Sequence, residues 1–281
     1  MAIVTGASRG AGRGIAIGLG AHGCTVYVTG RSENSGDHAL PGTIHETAAA
    51  VTAAGGKGIA VRCDHADDAA VAALFERVVR DEGRIDILVN NAAAIIDELT
   101  TPGRFWEKTL RLADIVTVGI RSTYVASWHA APVMVAQGRG LIVNTSGSGG
   151  VHYVYGPGYG AHKAAQDKLA ADMAVDFAGT GVSAVSVWMG ALLTDRLRQL
   201  IMSDEAKYGH LWGRAESPEF TGHVIWAMAN DSEISAMSSE TVIGAEMAIK
   251  YGLTDIEGRQ PPSYRDTHKI APRKQYPNII R

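Results

Sequence analysis

Ala2-Ile3-Val4-Thr5-Gly6-Ala7-Ser8-Arg9-Gly10-Ala11-Gly12-Arg13-Gly14-Ile15-Ala16 runs from an apolar strand-like start, through a glycine-rich turn, into a stretch suited to a helix. Glycines let a backbone bend sharply and come close to a ligand. A helix N-terminus beyond such a turn offers free N–H groups and partial positive charge to a phosphate. The glycines stand at 6, 10 and 12, a spacing different from the commonest dinucleotide fingerprint. A merely flexible turn is the plainer alternative. It loses ground because strand, turn and helix come in the order a phosphate cradle requires.

Working outward, the same alternation recurs. Thr25-Val26-Tyr27-Val28-Thr29, Gly58-Ile59-Ala60-Val61-Arg62-Cys63, Ile85-Asp86-Ile87-Leu88-Val89, Gly140-Leu141-Ile142-Val143-Asn144-Thr145 and Val182-Ser183-Ala184-Val185-Ser186-Val187 read as strands. Between them lie segments of helical periodicity, such as Val71, Leu74, Phe75, Val78 and Val79. A long helix is expected to carry Leu112, Ile115, Val116, Ile120 and Tyr124 toward Met134. Continuous apolar strands alternating with helices predict an α/β fold, a doubly wound parallel sheet of Rossmann type in three layers, α/β/α. Residues 1–253 form its single domain. Residues 254–281, with Pro261, Pro262, Pro272 and Pro277 among charges, are expected to be an extended tail, either wrapping a neighbouring subunit or disordered.

Composition narrows the function. The 281 residues carry a net charge of −3 with both signs interspersed, which argues against nucleic acid as a partner. The two cysteines, Cys24 and Cys63, sit among apolar neighbours, and no Cys/His cluster has metal-ligand spacing. No apolar run reaches membrane-spanning length and no leader pattern opens the chain. The expectation is a soluble protein of a reducing compartment, most simply cytoplasmic, with no metal.

Ligands of such sheets bind outside the carboxyl ends of the strands. There, Arg31 follows the second strand directly and Arg9 lies in the glycine loop, with no carboxylate until Glu33. Two guanidinium groups suit a ribose 2′-phosphate, so NADP(H) is expected ahead of NAD(H); solvated surface arginines are the alternative. Asp64, closing the third strand, is a candidate acceptor for an adenine amino group, and Asp67 the candidate helix cap.

In Tyr159-Gly160-Ala161-His162-Lys163 the tyrosine and lysine stand one helical turn apart on one face. An ammonium held near a phenol favours the phenolate and lowers its pKa, fitting the tyrosine for acid–base work. The tryptophans Trp188 and Trp212 and the tyrosines Tyr153 and Tyr155 are candidates for an apolar pocket, with core packing the alternative. His152 and His162 receive no role.

Together these motifs resemble the short-chain dehydrogenase/reductase family over residues 2 to about 247. The family's T-G-x-x-x-G-x-G loop matches Thr5, Gly6, Gly10 and Gly12. Its N-N-A-G stretch matches Asn90, Asn91 and Ala92, with Ala93 in place of glycine, and its Y-x-x-x-K matches Tyr159 and Lys163. Phrases such as Asp167-Lys168-Leu169-Ala170-Ala171-Asp172 and the tail segment Lys250-Tyr251-Gly252-Leu253-Thr254-Asp255 resemble one branch within it. The resemblance implies hydride transfer between nicotinamide and a carbonyl or alcohol substrate. Tyr159 would be proton donor and Lys163 would hold the nicotinamide ribose. A serine, Ser146 or alternatively Ser148, would orient the substrate oxygen. It implies cofactor contacts from Gly6, Ser8, Arg9, Gly10, Gly12, Arg31, Asp64, Asn91, Ala92, Gly190 and Thr194, besides Tyr159 and Lys163. It also implies a homodimer or homotetramer. Two departures stand out: Gly119 lies where many members carry an asparagine, and Met189 replaces the proline before Gly190. A nucleotide-binding protein of the same fold with weak or no catalysis remains the alternative.

Overall fold

The computed structural model describes residues 1–276 and 278–280; Pro277 of the proline-bearing tail lies outside them. The chain begins with β1 (Ala2–Val4), α1 (Gly10–Gly20), β2 (Thr25–Gly30), α2 (Ile44–Ala53) and β3 (Lys57–Arg62). It continues with α3 (Asp68–Glu82), β4 (Ile87–Asn90), α4 (Ser122–Gln137), β5 (Gly140–Ser146), α5 (Pro157–Asp176) and β6 (Val182–Trp188). Then come α6 (Asp195–Ser203), α7 (Glu205–Tyr208), α8 (Phe220–Ala229), β7 (Thr241–Ile243), α9 (Gly244–Lys250) and α10 (Tyr264–Thr267). The seven strands are parallel throughout, in the order β3-β2-β1-β4-β5-β6-β7.

Period-two alternation explains the three layers. Val4, Val28, Val89, Val143 and Val187 face one side and pack on Ile15, Leu19, Val224 and Ile225 of α1 and α8. Ile3, Tyr27, Leu88, Ile142 and Ala184 face the other and pack on α3 and α4 through Leu74, Phe75, Ala126 and Ala130, and on α5 through Met173 and Ala174. Both faces being buried is why the strands read as unbroken apolar runs. Local signals set the helix starts. Thr43 and Glu46 close a capping box on α2, and Asp67 accepts from the Ala69 amide to cap α3, as expected of it. Cys24 and Cys63 are free thiols, Cys63 buried.

Strand order reverses direction between β1 and β4, which opens the crevice at their carboxyl ends. The expected long fourth helix is interrupted. Val116–Arg121 forms a wide turn broken at Val118 and Gly119, and the regular helix starts only at Ser122. Gly119 has φ +151°, a conformation side chains other than hydrogen rarely adopt. Residues 255–268, read from the sequence as the start of the extended tail, run back over the subunit's own sheet edge and include α10.

Candidate active site

The glycine loop is built from both sides of the crevice. The Thr5 hydroxyl donates to the Val89 carbonyl (3.2 Å) and accepts from the Asn91 and Ala92 amides (2.9 and 3.0 Å). Asn91 Nδ2 donates to the carbonyls of Thr5 (2.9 Å) and Gly6 (3.1 Å). Asn91 and Ala92 thus brace the loop. Gly6, at φ +63°, is forced: a Cβ there would stand 2.7 Å from the Ala92 Cα.

Beyond the loop, α1 begins at Gly10 with no side chain capping its first N–H groups and no acidic residue in its first turn. A Cβ on Gly10 would meet only Thr194 Cγ2, at 3.8 Å. That leaves a gap with free N–H donors between the loop and Thr194, which fits a pyrophosphate. Thr194 itself caps α6, accepting from the Leu197 amide (3.3 Å). Ser8 is buried at the base of the loop.

Arg9 and Arg31 come together at the end of β2, close enough for Arg31 to depress the Arg9 pKa after burial has done so. Arg9 donates to Ser32 Oγ (2.9 Å) and to the carbonyls of Pro41 (3.2 Å) and Gly42 (2.8 Å), so its guanidinium also shapes the adjoining turn. Arg31 is exposed and meets Asp64 only at 3.8 Å. Asp64 Oδ1 accepts from the Ala66 amide (3.0 Å), leaving the rest of the carboxylate partly accessible.

On α5, Tyr159 and Lys163 share a face as expected. Lys163 Nζ is buried, lies 5.5 Å from the centre of the Tyr159 ring and donates to the Thr145 carbonyl (3.3 Å). One expectation about them fails. Burial raises the Tyr159 pKa well above the ordinary phenol range, with the Tyr264 and Tyr155 phenols adding to the rise, and the lysine does not reverse it. Burial also brings Lys163 down to about 8, against the opposing pull of Asp167. At neutral pH the phenol therefore holds its proton.

The two serines differ. Ser146 is buried in β5 and donates to the Lys163 carbonyl (3.1 Å), with Asp167 also within its reach. Its hydroxyl is committed to fastening α5 onto the sheet. Ser148 lies in the turn beyond, paired with His152 Nε2 (2.9 Å) and close to the Tyr264 phenol. Trp188 is fully buried and donates to Asp167 Oδ2 (3.0 Å), so it belongs to the core and not to a pocket wall. Trp212 carries Arg198 over its ring at 5.7 Å, and Tyr153 is largely exposed. Tyr155 alone of the candidate pocket aromatics meets Tyr159, edge-on at 5.3 Å.

The space beside Gly119 is filled by His162. A Cβ on Gly119 would stand 3.0 Å from its ring, and its Nε2 pairs with Gln166 Nε2 (3.0 Å). Gln166 also donates to the Gly119 carbonyl (2.9 Å) and to Thr123 Oγ1 (3.0 Å). Burial, then Lys163, pulls His162 down to about 2, so the ring is neutral.

Two residues escaped the sequence reading. Glu216 is buried against Gly190, one carboxyl oxygen lacking a hydrogen-bond partner, and burial raises it to about 8. Tyr264 donates to the Met189 carbonyl (3.3 Å) and lies edge-on to Trp188. Neither sits in a local motif, and their positions follow from long-range packing alone.

A family model for the short chain dehydrogenases matches residues 1–205. Dehydrogenase/reductase SDR family member 1 of Mus musculus is 39% identical over 273 residues, covering 93% of this chain and 85% of that protein. Its Homo sapiens counterpart is 38% identical over the same shares. A 2-dehydro-3-deoxy-D-gluconate 5-dehydrogenase of Pseudoalteromonas atlantica is 31% identical, covering 76% of this chain and 80% of that protein. A short chain dehydrogenase structure from Mycobacterium thermoresistibile superimposes with TM-score 0.77 at 26% identity, covering 93% of this chain and 91% of that one. With the glycine loop, the Tyr159–Lys163 helix and the parallel sheet in place, the chain belongs to the short-chain dehydrogenase/reductase family, in the branch of the member 1 proteins, and is an NAD(P)-dependent oxidoreductase.

Proposed function

We propose that the protein reduces a carbonyl compound, or oxidises the matching alcohol, with NADP(H) in preference to NAD(H). The observation that carries this reading is the half-buried Tyr159 above the buried Lys163, its phenol protonated, on the rim that also holds the glycine loop. When bound, the nicotinamide supplies or accepts the hydride; the protein supplies position and field. In the reductive direction Tyr159 gives its proton to the developing alkoxide. The Lys163 ammonium, charged at neutral pH and 5.5 Å from the ring centre, would turn from the Thr145 carbonyl to offset the negative charge this leaves on the phenol. The orienting serine is Ser148, since the Ser146 hydroxyl is held by the Lys163 carbonyl. Gly190 and Thr194 close the nicotinamide side, the α1 N-terminus takes the pyrophosphate, and Asp64 the adenine amino group. The Arg9–Arg31 pair supports a 2′-phosphate.

A homodimer or homotetramer is part of the same proposal. Ala126, Ala130, Ala170 and Ala171 face the core, so the surface offered to a second copy is the outer side of α4, where Tyr124 and Trp128 are exposed. Free thiols favour a reducing compartment, the cytoplasm; among the described residues no helix is long and apolar enough to cross a membrane.

Tyr159→Phe tests the chemistry. It is expected to lower kcat/KM by roughly a hundred- to ten-thousandfold across a carbonyl panel, the range for general acid–base groups. The NADPH Kd from nucleotide fluorescence should stay within about twofold, since the ring remains. Retained turnover in the variant refutes the role. A wild-type protein that binds NADPH and reduces nothing in the panel makes this a nucleotide-binding protein without turnover.

A further inference from the structure

The C-terminal segment is latched onto the rim of the proposed site. Asp255 Oδ2 accepts from the Ser217 amide (2.8 Å) and from Arg259 (2.8 Å), whose guanidinium also donates to the Ala215 carbonyl (2.6 Å). Further on, Gln260 donates to the Ala245 carbonyl (3.1 Å), and Ser263 donates to Glu246 Oε1 (2.5 Å). Asp255 and Ser263 are buried, so this strap is integral to the fold and not a loose end.

What the strap delivers is Tyr264. Its ring stands edge-on to the buried Trp188 at 6.0 Å, and its hydroxyl donates to the Met189 carbonyl at a long 3.3 Å. The Ser148 hydroxyl lies near enough to moderate the burial that raises the Tyr264 phenol, and Tyr264 in turn contributes to the raised pKa of Tyr159. The phenol therefore sits over the carboxyl ends of β5 and β6, between Ser148 and the Met189–Gly190 turn. Its present acceptor is weakly held, so its donor can turn to a better one. An alcohol or carbonyl oxygen presented to Tyr159 and Ser148 supplies such an acceptor.

We infer that Tyr264 is a substrate-binding residue of this enzyme, its hydroxyl giving a hydrogen bond to the bound carbonyl compound from a position that the strap over residues 215–217 and 245–246 holds in place. The inference rests on the Tyr159-centred reading above. It goes beyond it, because it makes the C-terminal segment part of the active site.

The experiment compares full-length wild type, Tyr264→Phe and Tyr264→Leu. The substrate is the compound turned over fastest from a panel of aldehydes, cyclic ketones and α-diketones. Tyr264→Phe keeps the ring against Trp188 and removes only the donor. Loss of one neutral hydrogen bond is expected to raise KM about three- to tenfold, with kcat within about twofold and NADPH Kd and Tm unchanged. Tyr264→Leu should show the same KM rise, with a lowered Tm from the lost ring. An unchanged KM in Tyr264→Phe overturns the inference and leaves the Tyr159 chemistry standing. A KM rise only in Tyr264→Leu, in step with Tm, assigns the residue to packing and also overturns it. A wild-type enzyme inert toward the whole panel removes the Tyr159 reading first, and this one with it.

Discussion

Two opposing influences act on the Tyr159 phenol, and they differ in range. Burial disfavours the phenolate wherever the Lys163 ammonium points, whereas the ammonium helps only at close approach. Here Nζ is turned to the Thr145 carbonyl, so the acid form prevails. The one-turn spacing of Tyr159 and Lys163 was legible because helical periodicity is local. The direction of the pKa was not, because it depends on what covers the site. The sequence favours Ser146 by spacing and leaves Ser148 as the alternative for a related reason: the choice turns on which side of the strand end each hydroxyl faces. Cofactor choice also belongs at this scale. Arg31 is exposed and its ion pair with Asp64 is long, at 3.8 Å, so removing it is expected to leave the fold intact. Arg31→Ala is expected to weaken NADPH binding about ten- to hundredfold, the worth of a charge-assisted hydrogen bond, with NADH affinity unchanged. Isothermal titration with both nucleotides checks this, and equal losses for both would sink the 2′-phosphate assignment.

Among elements, α4 departs most from its sequence pattern. The apolar positions from Leu112 to Met134 keep helical spacing, yet the chain breaks at Gly119 and winds regularly only from Ser122. A single glycine at φ +151° outweighs that periodicity, and His162 from α5 occupies the volume a side chain would need. Placing the asparagine of the wider family at this point is therefore expected to harm the protein. Gly119→Asn should cost about 1–3 kcal/mol, the range for a side chain in a sparsely populated backbone region. At ~2–4 °C per kcal/mol for a domain of this size, calorimetry reads a clear drop in Tm. An unchanged Tm would mean that the break relaxes. The short β7 escaped notice because its three residues, one of them a threonine and two only half-buried, do not form an apolar run as those of β1 do. The longer strands β2, β5 and β6 were plain, because burial on both faces writes an unbroken apolar run.

At the scale of the whole molecule, the sheet order follows from elements read in sequence, but the placement of the tail does not. Its anchors pair residues about 15 to 75 positions apart, and no periodicity announces them. The same packing buries Glu216 beside Gly190, with Asp255, Arg259 and Tyr264 as its charged or titratable neighbours. Its pKa is raised from 4.5 to about 8, so the folded chain keeps a proton that the unfolded chain gives up. Stability from this group is complete below about pH 4.5 and is lost as pH rises through about 8. Glu216→Gln, neutral at every pH, is expected to raise Tm relative to wild type at pH 8 and to leave it nearly equal at pH 5. A difference independent of pH would show that the carboxyl is ionised in the native state.

The strap bearing Tyr264 also sets an order of events during synthesis. A ribosome releases the N-terminal residues first, and β1 to β7 are all made before Asp255 emerges. The nascent chain can close its nucleotide crevice while the phenol over β5 and β6 is still inside the exit tunnel. A polypeptide terminated just after α9 would carry the whole sheet and nucleotide rim, and would lack the residue we assign to gripping the substrate.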